Sequence, residues 1–138
     1  MTQVIIAGGG PTGLMLAYEL TLAGIEVRLV DKLPRRSPDS RAGGMHARTM
    51  EVLDQRGIAD DFDAAGWKTA RGHFATIWLD YSGFDTRYNY MLGLVQSKME
   101  VILEEKVNAA GVEVEWASEV VGVQQDADGV AVEIQGPQ

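Results

Sequence analysis

Three glycines near the amino end, Gly8, Gly10 and Gly13, have the spacing of a phosphate-binding turn. They follow the apolar run 4–7 and open a helix-favouring segment that begins at Pro11. In that context the first glycine makes a tight turn and the second lets a diphosphate approach the backbone. The third lets the helix pack close to the strand. Unpaired N–H groups at the start of the helix stabilise an anion. The pattern therefore predicts a site for the diphosphate of a dinucleotide.

Asp31 is the candidate ligand for a ribose hydroxyl of that dinucleotide. It ends a second apolar run and lies 18 residues after Gly13, close to the ~20-residue offset of the acid that binds the ribose. The alternative is a glycine-rich structural turn with a solvated acid at a strand end. Because strand, turn, helix and acid agree, the sequence favours the nucleotide site.

A cationic segment follows Asp31. Five of the twelve Lys and Arg residues fall between positions 32 and 48, where Asp39 is the only acid: Lys32, Arg35, Arg36, Arg41 and Arg48. Such a segment beside a phosphate turn indicates a second set of phosphate contacts. The alternative is a solubilising loop, which is favoured for Arg35 and Arg36. A ligand contact is favoured for Arg41, because its small neighbours 42–44 permit close approach.

The order of predicted elements is that of an α/β protein. A strand over 4–7, a helix over 11–23 and a strand over 25–31 form a right-handed βαβ unit. Residues 32–48 are predicted as a long loop and residues 80–95 as irregular with short strands. The remaining predicted elements are helices over 47–55, 58–65 and 97–110, strands over 73–79 and 112–116, and a hairpin over 119–134. Ser97 and Glu100 have the spacing of a capping box for the third of those helices.

Composition excludes several classes of function. The chain has 138 residues, the size of one ordinary domain, with a net charge of −8, which argues against nucleic-acid or anionic-membrane partners. It has no cysteine, which excludes disulfides and thiolate sites. No apolar run reaches the ~18 residues of a membrane helix, and no signal peptide is recognisable, so the cytoplasm is the default location.

Other chemistry-bearing residues give weaker signals. His46 and His73 form a poor metal set, and neither a carboxylate pair nor a nucleophile elbow stands out, so no metal and no catalytic acid or base are expected. Four aromatic residues lie between positions 80 and 95: Tyr81, Phe84, Tyr88 and Tyr90. They could line an aromatic substrate pocket or belong to the core, and the core is favoured.

Several motifs together resemble the FAD-dependent aromatic hydroxylases, the single-component flavoprotein monooxygenases typified by para-hydroxybenzoate hydroxylase. The resemblance is greatest to the branch that acts on polyketide antibiotics, the rifampicin monooxygenases and the angucycline or anthracycline hydroxylases. The motifs are the segments 5–14, 40–44 and 47–57, with Arg71-Gly72-His73-Phe74 and Gln96. The resemblance covers the whole chain and implies a Rossmann-like FAD-binding βαβ fold with an added β-hairpin.

The resemblance also implies a role for individual residues. Gly8, Gly10, Pro11, Thr12 and Gly13 would hold the FAD diphosphate. Asp31, where the family more often has Glu, would bind the adenosine ribose with Lys32 beside it. Arg41 would contact the flavin side and meet the nicotinamide cofactor, and Val120 would offer backbone atoms to the adenine. Gln96 would hydrogen-bond the FAD chain, although a plain residue before the helix is an equal alternative.

In the family, NADPH or NADH reduces FAD, and oxygen is then used to hydroxylate an aromatic substrate. Members are several times longer, with later Asp-Gly and Gly-Asp motifs that complete the FAD site. Here the single Asp-Gly pair, Asp128-Gly129, falls in the predicted hairpin turn. The expectation is therefore that residues 1–138 are the N-terminal portion of the FAD-binding domain, incomplete at the C-terminus and without the substrate domain.

Such a portion would be inactive alone and would self-associate or bind the missing C-terminal polypeptide. One alternative is a non-catalytic nucleotide-binding fragment that needs a partner chain. A second alternative, an NAD-dependent dehydrogenase domain, is disfavoured by the long basic loop after Asp31.

Overall fold

A computed structural model of the chain describes residues 2–136. Its contacts divide it into two compact units, Met1–Pro38 with Leu103–Gln138, and Asp39–Ile102. In chain order the elements are β1 (Val4–Ala7), α1 (Pro11–Leu22), β2 (Val27–Val30), β3 (Gly44–Met45), α2 (Ala47–Asp54), α3 (Ala59–Ala65), β4 (Trp67–Thr69), β5 (Arg71–Phe74), β6 (Ile77–Asp80), β7 (Met91–Gly93), α4 (Gln96–Ala109), β8 (Val114–Glu115), β9 (Glu119–Gln125) and β10 (Val130–Gln135).

The first unit is built on a parallel sheet of order β1-β2-β8. Ile6 of β1 pairs with Leu29 of β2, and Leu29 in turn pairs with Val114 of β8. Leu14 and Ala17 of α1 are fully buried in this unit, as is Leu29. The predicted βαβ unit is confirmed, because β1 and β2 are parallel and α1 joins them.

The predicted C-terminal hairpin is also confirmed, with β9 and β10 antiparallel. Asp126 Oδ1 accepts hydrogen bonds from the N–H groups of Asp128 and Gly129, at 2.8 and 3.0 Å, and so closes the turn. The register shifts between Glu133 and Ile134, where Ile134 pairs with Val120. That shift places a β-bulge on β9 directly after Val120.

The second unit contains an antiparallel sheet of order β3-β7-β4 and a separate hairpin of β5 and β6. Its core includes Met50, Leu53, Phe62 and Leu92, all of which are buried. Helices α2 and α3 agree with the prediction, whereas the short strand β3 lies inside the segment predicted as a loop.

The single strand predicted over 73–79 is wrong, because the chain reverses within it. Ala75 and Thr76 have positive φ values of 47° and 68° and connect β5 to β6, so that Phe74 pairs with Ile77. The left-handed region is unusual for alanine and for a β-branched residue. Since neither residue is a typical turn former, the local sequence carried no signal for this turn.

The predicted capping box at the start of α4 is wrong as well. The helix begins at Gln96, one residue before Ser97, and Val95 O accepts from the N–H groups of Lys98 and Met99. Glu100 instead accepts a hydrogen bond from the side chain of Gln96. Met99, Leu103 and Val107 of α4 are buried, whereas Ala110, directly after the helix, is exposed.

The aromatic residues of 80–95 are divided between core and surface. Tyr81 and Tyr88 are buried, whereas Phe84 is half exposed. The Tyr88 hydroxyl donates to Asp54 Oδ1 at 2.8 Å, and the Tyr90 hydroxyl donates to Asp63. Core packing of this group, which the sequence favoured, therefore holds for Tyr81 and Tyr88.

Tyr88 gives a prediction for alkaline pH. Burial, and then the hydrogen bond to Asp54, raise the pKa of Tyr88 to about 12 from its ordinary value of 10.0. Because the folded pKa is the higher one, this contribution to stability is complete below pH 10 and is lost as the pH rises through about 12. We expect Tyr88→Phe to flatten the decline in the free energy of unfolding across that interval. In a pH titration followed by tyrosinate absorbance, the variant should lack the tyrosine that titrates late in the wild type. If the variant instead lacks a tyrosine that titrates near pH 10, the assignment is contradicted.

The described residues also bear on metal binding and on membrane insertion. Between positions 2 and 136, no group of three or more His, Asp or Glu side chains could hold a metal ion. None of the helices in that range is both long and apolar enough to cross a membrane.

Candidate functional site

The glycine turn after β1 has the geometry that its sequence predicts. Gly8 has a φ of +122°, a conformation that L side chains rarely adopt. Its N–H donates to Val30 O at 2.8 Å, which holds the turn against the end of β2. Gly8 therefore makes the tight turn.

Gly13 and Gly10 meet very different surroundings. A Cβ added at Gly13 would lie 1.8 Å from Gly8 O, so only glycine allows α1 to approach the turn this closely. A Cβ added at Gly10 would meet nothing within 4 Å, so the backbone there is open on its outer side. Close helix packing is the task of the third glycine of a phosphate-binding turn, and an open backbone is the task of the second.

The amino end of α1 is not capped by a side chain. Gly10 occupies the N-cap position in an extended conformation without a side-chain hydrogen bond, and Pro11 is at the first helical position. The N–H groups of Thr12 and Gly13 have no acceptor within the helix, as in the first turn of any helix. They and the helix dipole suit an anion at this end.

Asp31 is held by the backbone on both sides of its carboxylate. Its Oδ2 accepts from Gly9 N at 2.7 Å, and its Oδ1 accepts from Leu33 N at 2.8 Å. The Asp31 backbone is fixed as well, because its N–H donates to Glu115 O and its carbonyl accepts from Ser118 N. The carboxylate thus joins the glycine turn to the end of β2, and each oxygen retains a lone pair for a further donor.

A cleft of about 420 Å³ lies beside this carboxylate. It brings together four residues that the sequence analysis named, Gly8, Asp31, Lys32 and Val120. Its other lining residues are Ala7, Val30, Leu33, Ser118 and Glu119. The bulge that follows Val120 lies at the edge of this cleft, a common place for a bulge beside a binding site.

Sequence reasoning missed part of this arrangement. Gly9 donates to Asp31, and a Cβ at Gly9 would lie 2.9 Å from Val114 Cγ1; its place in an unbroken run of three glycines was the available signal. Ser118 and Glu119 reach the cleft through the turn that follows β8. No local pattern marked these two residues.

Arg41 and Gln96 lie in the second unit and are joined there. Arg41 N donates to Gln96 Oε1 at 3.2 Å. Gln96 N donates to Ala42 O and to Ser40 Oγ, at 2.9 and 3.0 Å. The segment that carries Arg41 is therefore fastened to the first residue of α4.

Two residues of the cationic segment are engaged in ion pairs. Arg36 pairs with Glu104, and Arg48 pairs with Glu51 at 3.2 Å. The sequence favoured a solubilising loop for Arg36, whereas the structure engages its guanidinium in this ion pair. Lys32, by contrast, lines the cleft beside Asp31.

The arrangement in the first unit fits a dinucleotide. An uncapped helix end and an open glycine at position 10 accommodate a diphosphate. The anchored carboxylate of Asp31 lines the cleft and offers acceptors of the kind that ribose hydroxyls require.

Comparison with known proteins agrees with this geometry. The profile of the FAD binding domain matches residues 1–138. Anhydrotetracycline monooxygenase of Streptomyces rimosus is 44% identical over 138 residues, which cover 99% of this chain and 27% of that protein. Rifampicin monooxygenase of Streptomyces venezuelae is 41% identical, over 97% of this chain and 29% of that protein.

Solved structures show the same likeness. OxyS, the anhydrotetracycline hydroxylase from Streptomyces rimosus, superposes with a TM-score of 0.89 at 43% identity, over 96% of this chain and 28% of that chain. The chain thus spans between a quarter and a third of the length of these relatives. The family that the sequence motifs indicated is confirmed: the chain belongs to the FAD-binding domain family of the flavoprotein aromatic and polyketide monooxygenases.

Proposed function

We propose that this chain supplies the adenosine and diphosphate part of the FAD site of a monooxygenase that hydroxylates an aromatic or polyketide substrate. NADPH or NADH would be the reductant. The observation that carries the proposal is the cleft in which Gly8, Asp31, Lys32 and Val120 meet, together with the uncapped end of α1 that follows Gly8 in the chain. The names of two relatives, an anhydrotetracycline monooxygenase and a rifampicin monooxygenase, support the class of substrate.

Each part of the adenosine diphosphate half of the cofactor has its own proposed contacts. Gly8, Gly10, Pro11, Thr12 and Gly13 surround the diphosphate, which accepts hydrogen bonds from the N–H groups of the first helical turn. Asp31 accepts hydrogen bonds from the adenosine ribose. Lys32 adds a positive charge at the mouth of the cleft, and Val120 offers backbone atoms to the adenine.

The flavin-side contacts are assigned to the second unit. Arg41 contributes a guanidinium, and Gln96 contributes a side-chain amide. When bound, FAD supplies the redox chemistry, whereas the protein supplies position and electrostatics. No catalytic acid or base among these 138 residues is part of the proposal.

FAD titration tests the binding part of the proposal. We expect the fluorescence of FAD to change saturably on addition of the chain, and an equal concentration of NAD to compete poorly. Binding of NAD in preference to FAD would favour a dehydrogenase domain and overturn the proposal.

A chimera tests the catalytic part. Residues 1–138 would replace the corresponding segment of the S. rimosus anhydrotetracycline monooxygenase, to which they are 44% identical. We expect substrate-dependent NADPH oxidation with hydroxylated product from the chimera and none from the isolated chain. A chimera that folds and binds FAD but never hydroxylates would favour the alternative, a non-catalytic FAD-binding module that needs a partner chain.

The β5–β6 hairpin bears on the proposed partners. Both of its faces carry exposed apolar side chains, among them Phe74 and Ile77 on one face and Trp78 on the other. Monomeric proteins rarely leave such a patch and two sheet edges uncovered. We propose that further polypeptide of the same enzyme covers this hairpin and that the chain self-associates without it. The cytoplasm is the proposed location.

Self-association gives a direct prediction. We expect the sedimentation coefficient of the chain to rise with concentration, and the double substitution Phe74→Thr with Ile77→Thr to abolish that rise. Threonine retains the β propensity of the strands while removing apolar surface. Val130→Thr is the matched control, because Val130 is also exposed but lies on the other hairpin. A wild-type chain that sediments as one monomeric species at every concentration would contradict the prediction.

A further inference from the structure

The side-chain amide of Gln96 lies between a hydrogen-bond donor and a hydrogen-bond acceptor. Its Oε1 accepts from the backbone N–H of Arg41 at 3.2 Å. Its Nε2 donates to Glu100 Oε1 at 2.7 Å, one turn further along α4. An amide has nearly the same shape after a half-turn about its last bond, but the half-turn exchanges donor and acceptor.

Glu100 is the partner that decides between the two orientations. Its Oε1 accepts a hydrogen bond in this contact, so it selects the Nε2 end of Gln96. Glu100 is 4% exposed, and a buried carboxylate depends on its hydrogen bonds because water cannot replace them. The opposite orientation of Gln96 would set Oε1 against this carboxylate.

The consequence reaches the segment that carries Arg41. With Nε2 committed to Glu100, Oε1 is left to face the Arg41 N–H. The same residue fastens Ser40 and Ala42 through its backbone N–H, and the neighbouring Leu94 N donates to Gly43 O at 3.1 Å. Glu100 is therefore linked to the segment 40–43 through the side chain of Gln96.

We propose that Glu100 is a positioning residue: by orienting the Gln96 amide it fixes the backbone at Arg41 and so prepares both side chains for the cofactor. The effect on the segment 40–43 stands on the hydrogen bonds alone. The effect on the cofactor rests on the proposed function.

An exchange of the two side chains tests the proposal. In Gln96→Glu two carboxylates face each other across a hydrogen-bond distance, and their repulsion should release the contact to Arg41. In the double variant Gln96→Glu with Glu100→Gln, the new carboxylate accepts from both the Arg41 N–H and the amide at position 100. We expect hydrogen exchange at the Arg41 amide, followed by NMR without flavin, to be roughly tenfold faster in the single variant and near the wild-type rate in the double variant.

Two further variants separate positioning from packing. Glu100→Met fills similar space without an acceptor and should also speed exchange at Arg41, whereas Glu100→Gln keeps an acceptor and should not. Glu105→Gln, at an exposed position of α4, is the matched control. Equal exchange rates at the Arg41 amide in all variants would overturn the proposal. Exchange that is as fast in the double variant as in the single variant Gln96→Glu would also overturn it.

FAD affinity is measured in a separate arm. If the wild-type chain binds FAD, Glu100→Met should bind it at least about tenfold more weakly, and Glu100→Gln should be close to the wild type. Unchanged FAD affinity in Glu100→Met would overturn the cofactor part of the proposal. If the wild-type chain binds no FAD, the proposed function fails, while the exchange measurements still decide the role of Glu100.

Discussion

Gly13→Ala is expected to weaken FAD binding strongly and to destabilise the first unit. The added Cβ would lie 1.8 Å from Gly8 O and 3.0 Å from Gly8 C. Because these are backbone atoms, the clash can be relieved only by moving α1 away from the turn. We expect a loss of about 3 kcal/mol in the free energy of unfolding and FAD affinity weakened by about 100-fold. Chemical denaturation and FAD titration measure the two effects.

Gly10→Ala is the matched control, since it makes the same change three residues earlier. A Cβ there meets nothing within 4 Å, and the extended backbone of Gly10 is one that alanine readily adopts. Stability should remain near that of the wild type, while FAD affinity falls by about tenfold because the methyl group occupies the space of the diphosphate. Wild-type FAD affinity in Gly10→Ala would contradict the close approach, and a stable Gly13→Ala chain would contradict the close packing.

Asp31→Ala is expected to have the second large effect. The carboxylate accepts from the N–H groups of Gly9 and Leu33, and each donor that loses its acceptor costs about 1–3 kcal/mol. Loss of the proposed ribose contact adds to this cost in the bound state. We expect FAD affinity to fall by about 100-fold, together with a lower melting temperature of the free chain.

Asp31→Asn separates charge from hydrogen bonding in the same position. Asparagine keeps one oxygen but turns an NH₂ group toward one of the two backbone donors, so its effects should lie between those of aspartate and alanine. Glu113→Gln is the control for loss of one negative charge, because Glu113 is exposed in the same unit. If Asp31→Ala and Glu113→Gln bind FAD equally well, Asp31 has no role in the site.

The two predictions test different parts of one architecture. Gly13 sets how close α1 lies to the turn, and Asp31 ties that turn to the end of β2. Neither residue depends on the flavin-side contacts assigned to the second unit. A failure at Gln96 or Glu100 would therefore leave the diphosphate and ribose assignments intact.

Local chemistry of the sequence determined much of the dinucleotide site. The spacing of Gly8, Gly10 and Gly13 specifies a strand–turn–helix joint wherever it falls between an apolar run and a helix. The position of Asp31 follows from the length of one βαβ unit. The helices α1, α2 and α3 and the C-terminal hairpin were predictable because their periodicity and turn residues are local.

Tertiary structure decided the rest. Ser118, Glu119 and Val120 reach the cleft because β8 pairs with β2 in one register and the following turn bonds to Asp31. The amide of Gln96 meets Arg41 across 55 residues of sequence. The reversal at Ala75 and Thr76 is held by the pairing of β5 with β6, in spite of two residues unsuited to positive φ. Each outcome depends on contacts between segments far apart in the chain, whose registers no short pattern encodes.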